Sequence, residues 1–198
     1  MIKLPPHGAH QRIGLFGGSF NPAHEGHRQV ALYALKRLNL DWIWWLVSPQ
    51  NPLKNKSETA DYVNRMAATR KLARHPRFVV TDIEQQMHSR YTAQTISTLR
   101  KLSRAKFVWI MGADSFATFH HWHDWTKIVQ SVPFAVLARP GYSVKALDSR
   151  AAIRFHDKRI NNAQPRALAS KPAPRWTFIS MPLRKESSTA IRAYRKSI

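Results

Sequence analysis

Six short runs of apolar, β-branched and aromatic residues recur along this 198-residue chain: Arg12–Phe16, Trp42–Val47, Phe78–Asp82, Phe107–Met111, Phe134–Ala138 and Trp176–Ser180. Segments with helical spacing separate most of them. Strands that are apolar along their whole length are buried on both faces, and strands joined through helices run parallel. The pattern predicts an α/β fold: a Rossmann-like, doubly wound parallel sheet with helices on both faces. One domain is expected over residues 1–198, with a C-terminal helical part from about 142 to 198. No internal repeat is present, and Asn161–Pro174, rich in Pro and Ala, reads as a surface loop. Sheets of this kind bind ligands in the crevice at the carboxyl ends of their strands.

The first run leads into Gly17-Gly18-Ser19-Phe20-Asn21-Pro22-Ala23-His24-Glu25-Gly26-His27. An amphipathic stretch follows, with Val30, Ala31, Ala34, Leu35 and Leu38 on one face. This is a strand, a glycine turn and a helix start. Two adjacent glycines let backbone N–H groups approach a ligand that a Cβ would repel. The helix N-terminus adds unpaired donors and a positive dipole end, which together suit an anion. His24 and His27 are three apart and share a face once the helix has begun. Gly26 between them leaves room for a phosphate against the backbone.

Composition narrows the function. A hydrophobic content of 43% supports a packed core, and the absence of cysteine excludes disulfides and thiolate chemistry. Residues 1–12 lack the apolar centre of a signal peptide and no run approaches ~18 apolar residues, so a soluble, cytoplasmic protein is expected. The chain carries 32 Lys and Arg against 11 Asp and Glu, a formal net charge of +21. Such a field draws polyanions: nucleotides, RNA or an anionic membrane. It also fits an enzyme whose substrates are all phosphorylated. A basic surface alone is weak grounds for a nucleic-acid role, so no stable nucleic-acid partner and no membrane partner is expected. A non-catalytic RNA-binding module, with steeply salt-dependent affinity, is the reading from another class.

Further segments fall at strand ends or helix starts. Pro49 and Pro52 break the second run and place Lys54 in a loop near the glycine turn. Ala60–Ala73 has Val63, Met66, Ala67 and Arg70 at helical spacing, with Arg65 and Arg70 most simply on the surface. Ser89-Arg90-Tyr91-Thr92 opens a helix through Ile96, Leu99 and Leu102; a hydroxyl there is first a cap, and the same N–H groups suit a carboxylate. The fourth run ends in Gly112-Ala113-Asp114-Ser115, where Asp114 suits either a ribose hydroxyl or a cap. Trp122 and Trp125 sit among His120, His121, His123 and Asp124, a poor setting for a dry core, and exposed aromatic faces stack flat rings. Arg139-Pro140-Gly141 ends the fifth run, with Arg139 facing phosphate or the surface. Ser187-Ser188-Thr189-Ala190-Ile191-Arg192 opens a last helix, and the Arg192 guanidinium matches phosphate geometry.

Taken together, the glycine–histidine segment resembles the Gly-Gly-x-Phe-x-Pro-x-His-x-Gly-His signature of the nucleotidyltransferases related to class I aminoacyl-tRNA synthetases. The further elements, in order, resemble the nicotinate mononucleotide adenylyltransferases within that superfamily. The resemblance implies adenylyl transfer from ATP to nicotinate mononucleotide (NaMN), giving nicotinate adenine dinucleotide and pyrophosphate. It implies ATP contacts from Gly17, Gly18, Ser19, Phe20, His24, Gly26, His27, Gly112, Asp114, Ser187, Ser188 and Arg192. Tyr91, Thr92, Trp122, Trp125 and Arg139 are implied on the mononucleotide, with Trp122 the first choice for stacking and Trp125 the second. The family's Pro-Pro-His-Lys element is altered here: Leu53 stands in the histidine's place, so only Lys54 carries over. Glu186 stands where the last element usually begins with an apolar residue.

The implied reaction suits these residue types. A phosphate monoester nucleophile is already ionised near neutrality and needs no general base. The barrier lies in aligning and neutralising anions. His24, His27, Lys54 and Arg192 are expected to bear the developing charge. Mg²⁺ is expected to arrive with ATP, with no metal ligands from the protein. Pantetheine-phosphate adenylyltransferases usually replace the first histidine by Thr, and cytidylyltransferases lack the Trp-rich segment, so both are secondary readings. Nicotinamide mononucleotide as acceptor is a third; nicotinate is preferred on Thr92 and the helix N–H groups beside it.

Overall fold

The computed structural model describes residues 2–49, 60–182 and 186–196, with Arg195 and Lys196 described by their backbone alone. Six strands form one sheet: β1 (Arg12–Gly18), β2 (Trp42–Val47), β3 (Phe78–Thr81), β4 (Lys106–Gly112), β5 (Phe134–Leu137) and β6 (Trp176–Ile179). The helices up to the fourth strand are α1 (Glu25–Arg37), α2 (Tyr62–Leu72), α3 (Ile83–Gln86) and α4 (Thr92–Leu102). After it come α5 (Ala113–Ala117), α6 (Trp125–Ser131), α7 (Ser143–Leu147), α8 (Arg150–Arg154) and α9 (Ser188–Lys196).

Every strand pair is parallel, in the order β3-β2-β1-β4-β5-β6. The chain winds outward from β1 to β3, crosses back beyond β1 to β4, and winds outward again. The winding therefore changes direction between β1 and β4, where a doubly wound sheet opens its crevice. Trp44 and Trp45 show why the strands read as continuous apolar runs. Neighbours on a strand point to opposite faces, and both indoles are fully buried. Both faces of the sheet are covered, and alternation would leave a polar residue in one of the two layers.

Two expectations are corrected here. Asn161–Pro174 is not only a surface loop, because a 3₁₀ turn over Pro165–Ser170 buries Pro165, Leu168 and Ala169. In α2 the expected face is displaced. Val63 is 70% exposed, and the helix packs through Met66, Thr69 and the Arg65 side chain. Arg65 was expected at the surface and is instead 3% exposed.

Candidate active site

A crevice of about 1290 Å³ opens at the carboxyl ends of the strands, on the line where the winding reverses. Gly17, Gly18, Ser19 and Phe20 line it from the end of β1, and His24 and His27 from the start of α1. Gly112 and Asp114 reach it from the end of β4, Arg139 from the end of β5, and Ser187, Ser188 and Arg192 from the start of α9. Tyr91, Thr92 and Trp122 line its other end. Lys54 lies outside the described residues.

The β1–α1 turn is held by packing as much as by glycine. A Cβ on Gly17 would run into the indole of Trp109, so this glycine makes room for a core ring beneath the crevice as well as for a ligand above it. Phe20 adopts φ 44°, the left-handed region that bulky residues avoid. Its ring accounts for that, lying 5.4 Å from Phe16, 5.1 Å from Trp45 and 5.1 Å from His27. The two histidine rings are 3.8 Å apart. The His24 backbone N–H donates to His27 Nδ1 at 3.3 Å, which leaves the neutral His27 ring its proton on Nε2.

His24 is 6% exposed, and neither ring nitrogen finds a hydrogen-bond partner among the described residues. Burial, reinforced by the nearby Arg139 charge, lowers its pKa to about 4. In the free protein His24 is therefore a neutral imidazole, not the cation that a charge-bearing role suggests. Gly26 does not face open space either. A Cβ there would meet Arg139 Nη1 at 2.8 Å and His24 Cε1 at 3.0 Å, so the room expected for a phosphate is occupied by a guanidinium. Arg139 is not a surface residue: its side chain is 11% exposed, with Nε 4.0 Å from Asp114 Oδ1.

From the opposite side, α9 docks on the same turn. Ser188 Oγ donates to the Pro22 carbonyl at 3.0 Å, and Arg192 Nη1 donates to the Asn21 carbonyl at 2.6 Å. Ser187 Oγ accepts from Ala190 N at 3.1 Å, the cap that its position predicts. One hydroxyl thus serves the helix while its neighbour ties the helix to the turn.

The far end of the crevice is aromatic. Trp122 is half-buried, edge-on to Phe119 at 5.3 Å and to Trp109 at 6.3 Å. The Tyr91 ring lies 4.1 Å from His123. Tyr91 caps α4 through its backbone with no side-chain bond, so the first N–H groups of α4 keep their capacity for a ligand. Trp125, expected as a second stacking ring, does not line the crevice. It packs edge-on against Phe119 at 6.0 Å and Phe155 at 5.9 Å, with the Arg154 guanidinium 6.0 Å above it.

Sequence reasoning passed over Glu84, which lines this end at 7% exposure. Thr95 Oγ1 donates to its Oε1 at 3.1 Å and is itself 2.8 Å from Ser89 Oγ. Burial raises the Glu84 pKa to about 7, against the smaller opposing pull of the Thr95 bond. Only its place directly after a strand end pointed to a site, and that place is shared with ordinary caps.

The fold and the crevice together define a doubly wound α/β scaffold with a ligand crevice at its switch point. The chain belongs to the cytidylyltransferase-like family, whose model matches residues 15–194. Within that family its relatives narrow the class. It is 51% identical over 182 residues to a probable nicotinate-nucleotide adenylyltransferase of Caulobacter sp. (strain K31), covering 91% of this chain and 96% of that one. A protein of the same description from Rhizobium meliloti (strain 1021) is 47% identical, covering 91% and 97%. Among solved structures, Plasmodium falciparum nicotinic acid mononucleotide adenylyltransferase, complexed with APC and with NaAD, superposes with a TM-score of 0.67. At 18% identity, covering 93% of this chain and 84% of that one, it supports the fold.

Proposed function

We infer that this chain is a nicotinate-nucleotide adenylyltransferase. It transfers AMP from ATP to NaMN, giving nicotinate adenine dinucleotide and pyrophosphate in NAD biosynthesis. The observation that carries this reading is one crevice with an N–H-rich turn flanked by Arg139 and Arg192 at one end and aromatic rings beside an open helix N-terminus at the other.

The NaMN phosphate attacks the α-phosphorus of ATP in line, and pyrophosphate leaves. The attacking oxygen is already ionised, so the site needs alignment and charge stabilisation, not a base. The turn Gly17–Phe20 and the Ser187 hydroxyl supply fixed donors to the ATP phosphates, and the Ser188 hydroxyl turns from the Pro22 carbonyl to join them. His27 donates from Nε2. His24 enters neutral and gains basicity as the anions arrive, so it strengthens toward the transition state. Arg192 exchanges its carbonyl partner for phosphate, and Lys54 adds a further cation. Asp114 receives a ribose hydroxyl, and Arg139 faces the NaMN phosphate.

At the other end Trp122 stacks on the pyridine ring, while Tyr91, Thr92 and the first N–H groups of α4 read its carboxylate. Magnesium comes in on the nucleotide, whose phosphate oxygens and retained waters it prefers. The charge of +21 draws anionic substrates rather than a standing nucleic-acid partner. No described helix is long and apolar enough to cross a membrane, and the cytoplasm suits the substrates.

The test is pyrophosphate release with ATP and a panel of mononucleotides. NaMN is expected to turn over fastest, with nicotinamide mononucleotide well behind. No pyrophosphate release with any of the mononucleotides, alongside RNA binding that survives physiological salt, would replace this reading by the RNA-binding one.

A further inference from the structure

Arg65 is a buried cation that the reaction above leaves unused. Its Nε donates to the Ala60 carbonyl at 3.0 Å, and its Nη1 to the carbonyls of Ser19 at 2.8 Å and Ser48 at 2.7 Å. Nη2 donates to the Pro49 carbonyl at 2.8 Å, and the guanidinium lies 5.3 Å from the Tyr62 ring centre. Burial lowers its pKa, the nearby Tyr62 and Asp61 only partly opposing. Among the described residues no carboxylate forms an ion pair with this guanidinium, which forfeits hydration for its bonds to carbonyls. An apolar side chain would fill the same space but leave these four carbonyls without their donor, so what the guanidinium adds is its hold on the backbone around it.

What the fork achieves is spatial. It joins the turn after β1, the end of β2 and the approach to α2, three segments far apart in the chain. Ser19 and Ser48 line the crevice, whereas Arg65 stands behind them. The Ser19–Phe20 peptide is planar and trans, so holding the Ser19 carbonyl toward Arg65 turns the Phe20 N–H the opposite way. The preceding peptide is pinned as well, with Ser48 N donating to the Gly18 carbonyl at 3.0 Å. A second sign of a ligand-facing turn is Ser19 Oγ, which is buried with no hydrogen-bond partner among the described residues.

We propose that Arg65 is a positioning residue for adenylyl transfer: its grip on the Ser19 carbonyl aims the N–H donors of the Gly17–Phe20 turn at the ATP phosphates. The proposal rests on the function inferred above. It also keeps a fixed positive charge directly behind those donors, in a setting where preorganised charge needs no rearrangement during reaction.

Arg65→Lys keeps the charge but cannot bridge three segments, and Arg65→Gln keeps part of the donor geometry without the charge. Each is assayed with ATP and NaMN, with circular dichroism at the assay temperature showing which variants are folded. In folded Arg65→Lys, kcat should fall on the order of 10²-fold while KM for NaMN moves less than about threefold, the signature of misplaced reacting groups. If Arg65→Lys does not fold, Arg65→Gln carries the same comparison. Methylguanidinium should restore part of kcat to Arg65→Ala. A folded variant with unchanged kcat, or a loss confined to KM for NaMN, overturns the proposal while wild-type activity keeps the function standing. Wild-type protein that releases no pyrophosphate overturns both.

Discussion

The two ends of the crevice are built by opposite means. At the nucleotide end the working surface is main chain, a turn whose carbonyls are gripped by Arg65 on one side and Arg192 on the other. At the proposed acceptor end it is side chain, rings set edge to face and the buried Glu84 carboxyl. Phosphates need donors that stay fixed while charge develops, and a flat ring needs only a flat face. On the proposed function, rate belongs to the first end and affinity to the second, and substitutions at each end can break that division.

The largest effect belongs to the nucleotide end. On the proposed function, His27→Ala removes a donor to the charge that grows on the phosphates. Loss of one such donor lowers kcat on the order of 10²–10³-fold. Steady-state pyrophosphate release measures it, with thermal unfolding confirming that the variant stays folded. A kcat within a few-fold of wild type, with the loss appearing in KM, would erase the division between the ends.

How far each end could be read beforehand follows from the same difference. The glycines, histidines and terminal Ser-Ser-Thr lie on consecutive residues, and their order encodes a turn and two helix starts. Strand positions were legible too, because burial on both faces leaves a local trace such as Trp42–Val47, which the structure reproduces. What stayed hidden depends on convergence. Arg65 is buried because carbonyls from residues 19, 48, 49 and 60 meet around it, and no local pattern records that. Helical spacing instead pointed to Val63, which faces solvent. The space over Gly26 belongs to an arginine more than a hundred residues away. Trp122 lines the crevice and Trp125 does not, and that depends only on which neighbours their rings meet.

The next effect in size is on stability and lies at the acceptor end. Glu84 titrates near 7 in the folded chain against 4.5 when solvated. Below 4.5 it is protonated in both states and contributes no pH dependence. As pH rises from 4.5 to 7 the unfolded chain releases this proton first, so the folded state loses stability, and above 7 the loss is complete. Glu84→Gln keeps an acceptor for Thr95 and removes the titration. Relative to wild type it should gain on the order of 2–3 kcal/mol between pH 4.5 and pH 8, read from denaturant unfolding at a series of pH values. A difference between the two proteins that is flat with pH would mean that Glu84 is ionised in the folded state.

A smaller effect distinguishes the two rings. Trp122→Ala should raise KM for NaMN on the order of tenfold, in line with the usual worth of aromatic stacking on a base. KM for ATP should stay near wild type. An increase confined to ATP would move Trp122 to the nucleotide end.

The smallest expected change is in Trp125→Phe. Trp125 touches Phe119, and Phe119 touches Trp122. The residue could therefore reach the acceptor only through an intermediate ring, and a phenyl group preserves that edge contact. It removes part of the indole beneath Arg154 and part of the contact with Phe155, so stability should fall by about 1 kcal/mol, as for other partial truncations of packed rings. KM for NaMN should change less than about twofold, since an apolar group one ring removed carries none of the stacking energy. Thermal unfolding and a titration of NaMN at saturating ATP measure the two quantities on one preparation. A tenfold rise in KM without loss of stability would place Trp125 on the ligand after all, and would mean that the acceptor end closes around its ring when NaMN binds.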